Sequence, residues 1–366
     1  MIPLFKVFVS DESKDLTNRT LHSGFIGEGP MVKEFEQALS TILKSHNVLA
    51  LNSASSGLEL AVHMAKKVNN GTKVLTTALS CIATNWPILH HGLRPEWVDV
   101  NPTTLNMNLD DLWRKLNDDV AIIIVTHWGG RAHYMDDILE MQGEHFRKNG
   151  RSVPIIEDCA HAWGGSYGGQ MLGTFGDFGV YSFQAIKPLT CGDGGLIISK
   201  NKCDHEQIKK LRWYGIDRDA RDLPIYEAGY KYHMNDIAAS IGLGNVAESC
   251  RNVKKSMENA RFYNDNLIGI DAFSPLDRPD HHIEHPYWIY TALVDRREDF
   301  MKVMKDRGVE TSPVHTRNDT HPCVAGYHRQ LPALDSVADK VVNIPVGWWV
   351  SEDNRNHICK SIQKGW

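Results

Sequence analysis

The sequence predicts an α/β protein with a mostly parallel central sheet, followed by a smaller α+β C-terminal unit. Short apolar runs alternate with amphipathic helix-length segments from about residue 47 to about 200, the pattern of repeated β-α units on one sheet. One of those runs, Val120–Thr126, is almost wholly β-branched, as a central parallel strand covered on both faces should be. Beyond residue 240 the alternation gives way to a long helical stretch and then to mixed short elements. The division is therefore placed at 240/241, with a large α/β domain over 1–240 and a smaller α+β domain over 241–366.

The elements follow in order. Gly24-Phe25-Ile26-Gly27-Glu28-Gly29-Pro30 is too rich in glycine to be regular and reads as a loop. Residues 31–43 form a helix with Phe35, Leu39 and Ile42 on one face. Residues 47–51 are a short buried strand, Asn52-Ser53-Ala54-Ser55-Ser56-Gly57 a polar turn, and 58–67 a helix. A strand running through small polar residues into a helix offers free backbone N–H groups to an anion. Strands at 73–78, 95–98, 120–126 and 153–157 alternate with helices at 80–89, 110–116 and 135–146. Loop and short strand fill 164–179. Residues 234–268 read as helical, with a break allowed at Gly242 or Gly244. A strand at 286–294, a helix at 297–307, strands at 311–314 and 341–344 and a helix at 354–362 complete the chain.

Hydrophobic residues make up 42% and charged residues 23%, which excludes a disordered or coiled-coil chain. Lys plus Arg number 40 against 45 for Asp plus Glu, a formal charge of −5, so nothing in bulk electrostatics draws the chain to nucleic acid or to an anionic membrane. Seven cysteines, an odd number with no C-x-x-C, argue against a disulfide scaffold and against a cysteine zinc site. The apolar start is too short for a signal peptide, and no run approaches the roughly 20 apolar residues of a membrane span. A soluble cytoplasmic protein with reduced thiols is expected.

Two segments carry chemistry. Ile155-Ile156-Glu157-Asp158-Cys159-Ala160-His161-Ala162 sets an acid and an imidazole just past a buried strand, where open sheets place ligands. Asp158 and His161 read as a general base or a fragment of a metal site, or more plainly as a turn cap and a packed ring. Val180-Tyr181-Ser182-Phe183-Gln184-Ala185-Ile186-Lys187-Pro188 holds a lysine among apolar residues, with Gly192-Asp193-Gly194-Gly195 beyond it. Partial desolvation lowers a lysine pKa and suits it to Schiff-base formation; a lysine snorkelling from a strand edge is the plainer reading. An N–H turn at Ala54, Ser55 and Ser56, an acid at Asp158 and an amine at Lys187 together match what pyridoxal phosphate (PLP) requires. Its aldehyde needs an amine, its ring nitrogen a carboxylate, and its phosphate hydroxyls and helix N–H groups. G-x-G-x-x-G after the first strand, G-K-S/T and H-E-x-x-H are all absent.

On these motifs the chain resembles the DegT/DnrJ/EryC/StrS sugar aminotransferases, PLP-dependent enzymes of the aspartate aminotransferase fold (PLP-dependent transferase fold type I). The resemblance runs through the glycine loop before Pro30, residues 52–58 and 80–85, His127, 157–162, 182–187 and 229–243. It implies that Lys187 forms the Schiff base with PLP and later moves protons. Asp158 would partner the pyridine nitrogen, and His161 would lie on the ring near its phenolic oxygen. Ser182 and the Ala54-Ser55 turn would cradle the phosphate, and Cys81 would occupy the ring-stacking position. Lys231, in the stretch 229–234, would reach the phosphate in the neighbouring subunit, which implies a homodimer with shared active sites. The implied reaction transfers an amino group from L-glutamate to a nucleotide-linked keto-deoxy sugar. The loop 24–30 and Arg212, Arg218 and Arg221 are candidates for the diphosphate.

A free keto sugar or keto-cyclitol is the alternative substrate. A sugar dehydratase is disfavoured because the family's dehydratases carry histidine where this chain has Lys187. A non-catalytic regulator of PLP fold would lack the lysine or add a DNA-binding domain, and neither is seen. Three positions depart from the family pattern: Ala54-Ser55 for Gly-Thr, Cys81 for an aromatic residue, and Lys231 for Asn. Trp128 is the candidate to fill the space that Cys81 leaves.

Overall fold

The computed structural model describes residues 1–218, 220 and 224–366. An irregular arm over residues 1–10 leads into α1 (Asp11–Ser23) and α2 (Pro30–Leu43). The alternation then runs β1 (Val48–Leu51), α3 (Ala54–Ala65), β2 (Lys73–Thr77), α4 (Ile82–His90), β3 (Arg94–Val98), α5 (Leu109–Lys115), β4 (Val120–Thr126), α6 (Met135–Asn149) and β5 (Ile155–Asp158). A hairpin of β6 (Ser166–Tyr167) and β7 (Gln170–Met171) precedes β8 (Phe178–Ser182), β9 (Gly195–Ser199) and α7 (Lys202–Leu211). The long helix α8 (Asp236–Asn266) leads to β10 (Phe273–Pro275), β11 (Ile283–Glu284), β12 (Tyr290–Val294), α9 (Arg297–Asp306), α10 (Pro332–Val337), β13 (Val341–Ile344) and α11 (Glu352–Gln363).

Seven strands form the large sheet in the order β1-β9-β8-β5-β4-β2-β3. β3, β2, β4, β5 and β8 pair in parallel, and β9 runs antiparallel to both β8 and β1. Every residue of β4 is buried, and its side chains feed two apolar layers in alternation. Ile123 and Val125 join Phe35 and Leu39 on one face, while Ile122 and Ile124 join Leu58 and Ala61 on the other. The smaller unit is an antiparallel sheet, β10-β12-β13, packed with α9 and α11 around Tyr263, Phe300 and Ile358. Among the described residues, no helix is long and apolar enough to cross a membrane.

Several elements differ from the sequence expectation for identifiable reasons. The polar run 52–57 is not a free turn: Ser53 caps α3, its Oγ accepting the Ser56 N–H at 3.1 Å, so Ala54 and Ser55 open the first helical turn. α8 is unbroken at Gly242 and Gly244, because both glycines serve close packing. A Cβ on Gly242 would stand 2.5 Å from Cys191 Sγ, and one on Gly244 would stand 2.4 Å from the Ser13 nitrogen. The expected strand at 311–314 is only a bridge between Ser312 and Asn343. The 240/241 division falls within the opening turns of α8, which spans both units. The N-terminal arm joins the smaller unit, where Ile2 exchanges main-chain bonds with Gly308 and Glu310.

Helix α2 has no side-chain cap of its own. Buried Asp236, at the start of α8, supplies one by accepting the N–H groups of Gly29 (2.8 Å), Met31 (3.2 Å) and Val32 (3.1 Å). The carboxylate also meets the positive end of the α2 dipole.

Gly195 sets the spacing between β9 and the start of α3, since a Cβ there would stand 2.3 Å from the Ser53 carbonyl carbon and 2.5 Å from the Ala54 nitrogen. Gly195→Ala should therefore displace the α3 terminus and lower unfolding free energy by about 1–3 kcal/mol in denaturant titration. Unchanged stability would show that the strand moves freely.

Candidate active site

β1, β5 and β8 end on one edge of the sheet, and so do the loops that follow β2 and β4. Asp158 is the last residue of β5, paired with Val180 of β8. It is 3% exposed. One carboxylate oxygen accepts the Thr84 hydroxyl at 2.6 Å and the other accepts the Ala160 N–H at 3.0 Å. No ion pair reaches it among the described residues. Burial pushes its pKa up against the pull of Thr84, Ala160 and Lys187.

Lys187 lies in the turn after β8. The residue is half-buried, but its amine is enclosed, and Nζ sits 3.4 Å from the centroid of the Trp288 ring. Burial lowers the pKa of the amine to about 7, with the charges of Asp158 and Cys81 opposing the fall. Trp288 donates its Nε1–H to the Ile186 carbonyl at 3.1 Å, which ties the indole to the lysine turn.

Trp288 belongs to a series of near-parallel rings. Phe5 stacks on it at 5.1 Å, it stacks on His161 at 3.9 Å, and His161 lies parallel to His315 at 5.5 Å. His161 Nδ1 accepts the Gly129 N–H at 3.3 Å, which leaves the ring proton on Nε2. Burial holds the His161 pKa well below the usual imidazole range, so the ring is neutral. His315 is lowered to about 4, by burial and by the charge of Lys187.

Cys81 precedes α4 and is half-buried. Its thiol pKa is raised by burial, and both Asp158 and Lys187 act on it electrostatically, so the three sequence-predicted groups do converge. Trp128, one candidate for the space beside Cys81, stands edge-on to His161 at 6.0 Å. The ring that faces Lys187 is Trp288, which comes from the smaller unit. Sequence reasoning missed it, together with Thr84 and His315. The only local signal was an indole in His285-Pro286-Tyr287-Trp288, just ahead of β12.

Ser182 pairs with Gly195, which abuts Ser53 and Ala54, so Ser182 and the start of α3 are neighbours. The first helical bond of α3 joins the Gly57 N–H to the Ser53 carbonyl at 3.3 Å, and the N–H groups of Ala54 and Ser55 precede it. Ser182 Oγ accepts the Gln184 N–H at 3.4 Å and keeps its own proton to donate.

Lys231 is exposed, beside the end of β1, where the Asn52 N–H bonds the Tyr232 carbonyl at 2.8 Å. Its Nζ lies 3.5 Å from the Trp213 ring centroid, and no carboxylate pairs with it among the described residues. The arginines considered for a diphosphate are engaged within the chain. Arg212 bonds Glu36 at 2.7 Å and Glu28 at 2.8 Å, and Arg218 bonds Glu28 at 2.6 Å. Arg221 lies outside the described residues. A cavity of about 700 Å³ opens beside this group, with Lys33, Trp213 and Arg218 among its walls but neither Lys187 nor Asp158.

His127, Glu157 and Cys159 bring potential metal ligands within 4.8 Å of one another, all buried. Glu157, however, accepts N–H groups from Gly173 (2.8 Å), Phe175 (2.8 Å) and Gly176 (2.7 Å) and meets His127 Nε2 at 3.1 Å. With its oxygens so engaged, the trio is a structural brace.

Residues 9–363 match the DegT/DnrJ/EryC1/StrS aminotransferase family. The crystal structure of the sugar aminotransferase CalS13 from Micromonospora echinospora aligns over all of both chains with a TM-score of 0.97 and 40% identity. That of AtS13 from Actinomadura melliaura aligns with a TM-score of 0.96 and 42% identity over 100% of this chain and 99% of that one. GDP-perosamine synthase of Escherichia coli O157:H7 is 26% identical over 367 residues, covering 99% of this chain and 98% of that protein. The large, mostly parallel sheet with its smaller α+β partner is accordingly the type I fold of PLP-dependent transferases. The protein belongs to the DegT/DnrJ/EryC1/StrS family and is a PLP-dependent aminotransferase.

Proposed function

We propose that the enzyme transfers an amino group from L-glutamate to the keto group of a deoxy sugar carried on a nucleotide. The observation that carries this reading is the enclosed Lys187 amine beside Asp158, a buried carboxylate without an ion pair among the described residues. The substrate class is supported by the likeness to a sugar aminotransferase at 40% identity and to GDP-perosamine synthase at 26%.

The residues fit PLP: an amine with a lowered pKa, a buried acid without an ion pair among the described residues, and open N–H groups at a helix start whose close approach a Cβ on Gly195 would block. When bound, PLP supplies an aldehyde that captures amines and a cationic ring that draws electrons from the carbon losing its proton. Lys187 would hold the aldehyde carbon and Asp158 the ring nitrogen. Ala54, Ser55 and Ser182 would hold the phosphate. His161 and Cys81 would border the ring, and Lys231 of each subunit would reach the phosphate held by its neighbour.

The chain's own groups divide the remaining work. Lys187 Nζ, close to half-ionised at neutral pH, can take a proton from the donor's α-carbon and return one to the sugar carbon. Asp158 favours ionisation only opposite a cation, because burial otherwise raises its pKa, so it selects a protonated ring nitrogen. Trp288 holds Nζ over its face, a contact that steadies the protonated amine by about 0.5–2 kcal/mol.

Purified enzyme supplied with PLP, L-glutamate and a panel of nucleotide-linked keto sugars should give an aminated sugar, identified by mass. K187A should give none, and D158N should bind PLP while turning over about 10²-fold more slowly, a loss of about 2.7 kcal/mol. Conversion of glutamate with no sugar aminated would remove the proposed acceptor class.

In PLP-free protein, acylation of Lys187 should rise with pH to half its maximum near 7. Because the Asp158 charge raises the Lys187 pKa, D158N should move that midpoint lower. A midpoint near 10 would show a solvated amine.

K187A and K231E should each be nearly inactive alone. Mixed after mild dissociation, they should regain roughly a quarter of wild-type activity per total site, since half the dimers are mixed and each carries one intact site. No recovery in a mixture shown to contain heterodimers would confine Lys231 to its own subunit.

A further inference from the structure

Among the described residues, Asp158 has one side-chain donor, the Thr84 hydroxyl, at 2.6 Å. Thr84 stands in the first turn of α4, a helix with no side-chain cap at its start. The side-chain bonds that fix this turn come from outside the helix, and the smaller unit supplies several of them. Asn318 Oδ1 accepts the Asn85 Nδ2–H at 2.7 Å, and Asn318 Nδ2 donates to the Ser80 carbonyl at 2.9 Å. The Asn318 main-chain N–H donates to the Ala78 carbonyl at 2.7 Å. Asn85 Oδ1 in turn accepts the Thr76 hydroxyl of β2 at 2.8 Å. Thr76, Ser80, Thr84, Asn85 and Asn318 are each 1% exposed or less.

Adjacent residues of a helix project about 100° apart. Thr84 and Asn85 thus send one side chain to β5 of the large sheet and the next to the smaller unit. Breaking either contact leaves buried donors or acceptors unpaired, so the amide and the turn hold each other in one arrangement. The hydroxyl matters because of what it faces. Burial raises the Asp158 pKa, while the Thr84 bond, the Ala160 N–H and the charges of Lys187 and His127 pull it down. The neighbouring Cys81 thiol has its own pKa raised by burial and stays neutral. A donor to the ionised carboxylate favours that form. Thr84 is the side chain among these that carries no charge and can lose its hydrogen bond with little change of shape.

We propose that Thr84 is a positioning residue for Asp158, keeping the carboxylate aimed and ionised opposite the cofactor's ring nitrogen, and that Asn318 locks Thr84 in place when the smaller unit docks. This rests on the reading of Asp158 as the ring-nitrogen partner. Docking then completes the acid as well as covering the amine, for the stretch that carries Asn318 also brings His315 parallel to His161.

The test loads the enzyme with PLP isotopically labelled at its ring nitrogen and follows the nitrogen NMR shift at neutral pH. Wild type should give the value of a protonated ring. In T84V the carboxylate loses its donor and competes for the ring proton. The signal should therefore move towards the unprotonated value, and kcat should fall about tenfold. T84S keeps a hydroxyl and should restore both. N318A should move the signal the same way, and T84V/N318A should move it no further than T84V alone. N85S breaks the same inter-unit bond from the α4 side and takes the place of N318A if that variant does not fold. D158N separates the two claims. A D158N signal equal to that of wild type would remove the ring-nitrogen reading itself. A signal displaced in D158N but unmoved in T84V, or unrestored in T84S, overturns the role of Thr84. An unmoved signal in N318A, additive displacements in the double variant, or failure of both N318A and N85S to fold, reduces Asn318 to a packing residue and overturns the lock.

Discussion

Glu157 accepts three main-chain N–H bonds from the turn at 173–176 and lies against His127, all of it shut away from water. Adjacent residues of a strand point to opposite faces, so whatever fixes Glu157 also aims Asp158 the other way. The bonds tie the end of β5 to the segment that enters β8, and β8 delivers Ser182 and then Lys187. Losing the carboxylate would leave three buried donors without partners, at about 1–3 kcal/mol each. The edge of the sheet that carries Asp158, Ser182 and Lys187 therefore rests on a side chain directed away from it.

On the other face of β5 the electrostatics run opposite to the brace. Asp158 is pushed towards its protonated form and Lys187 towards its neutral form by the same loss of water. Each charge partly rescues the other, yet no hydrogen bond joins them among the described residues. On the proposed reading, bound PLP would bring a cation to the acid and an electrophile to the amine. Neutral imidazoles on the Trp288 side keep further positive charge away from the lysine.

What the sequence made legible was local. The β-branched run of β4 and the apolar-then-polar ends of β5 and β8 follow from burial, and the spacing from Asp158 to Lys187 reflects two neighbouring parallel strands. What it concealed depended on distant partners. Helix α3 starts at Ala54 because Ser53 caps it, a choice that a run of small polar residues leaves open. The glycines of α8 look like breaks until Cys191, Phe35 and Ser13 are seen against them. Arg212 and Arg218 look available until Glu28 is found bonded to both. Trp288 reaches Lys187 only through the docking of the second unit, for which no periodicity in the sequence is diagnostic.

The stacked rings draw Phe5 from the N-terminal arm, His161 from the large unit, and Trp288 and His315 from the smaller one. Contacts between residues so far apart in the chain form late, because their loop-closure entropy must be met first. During synthesis the large sheet can be complete while Trp288 and His315 are still to be made. Lys187 then lacks the indole that covers its amine in the finished molecule. The enclosure of the amine is thus completed only when the second unit docks.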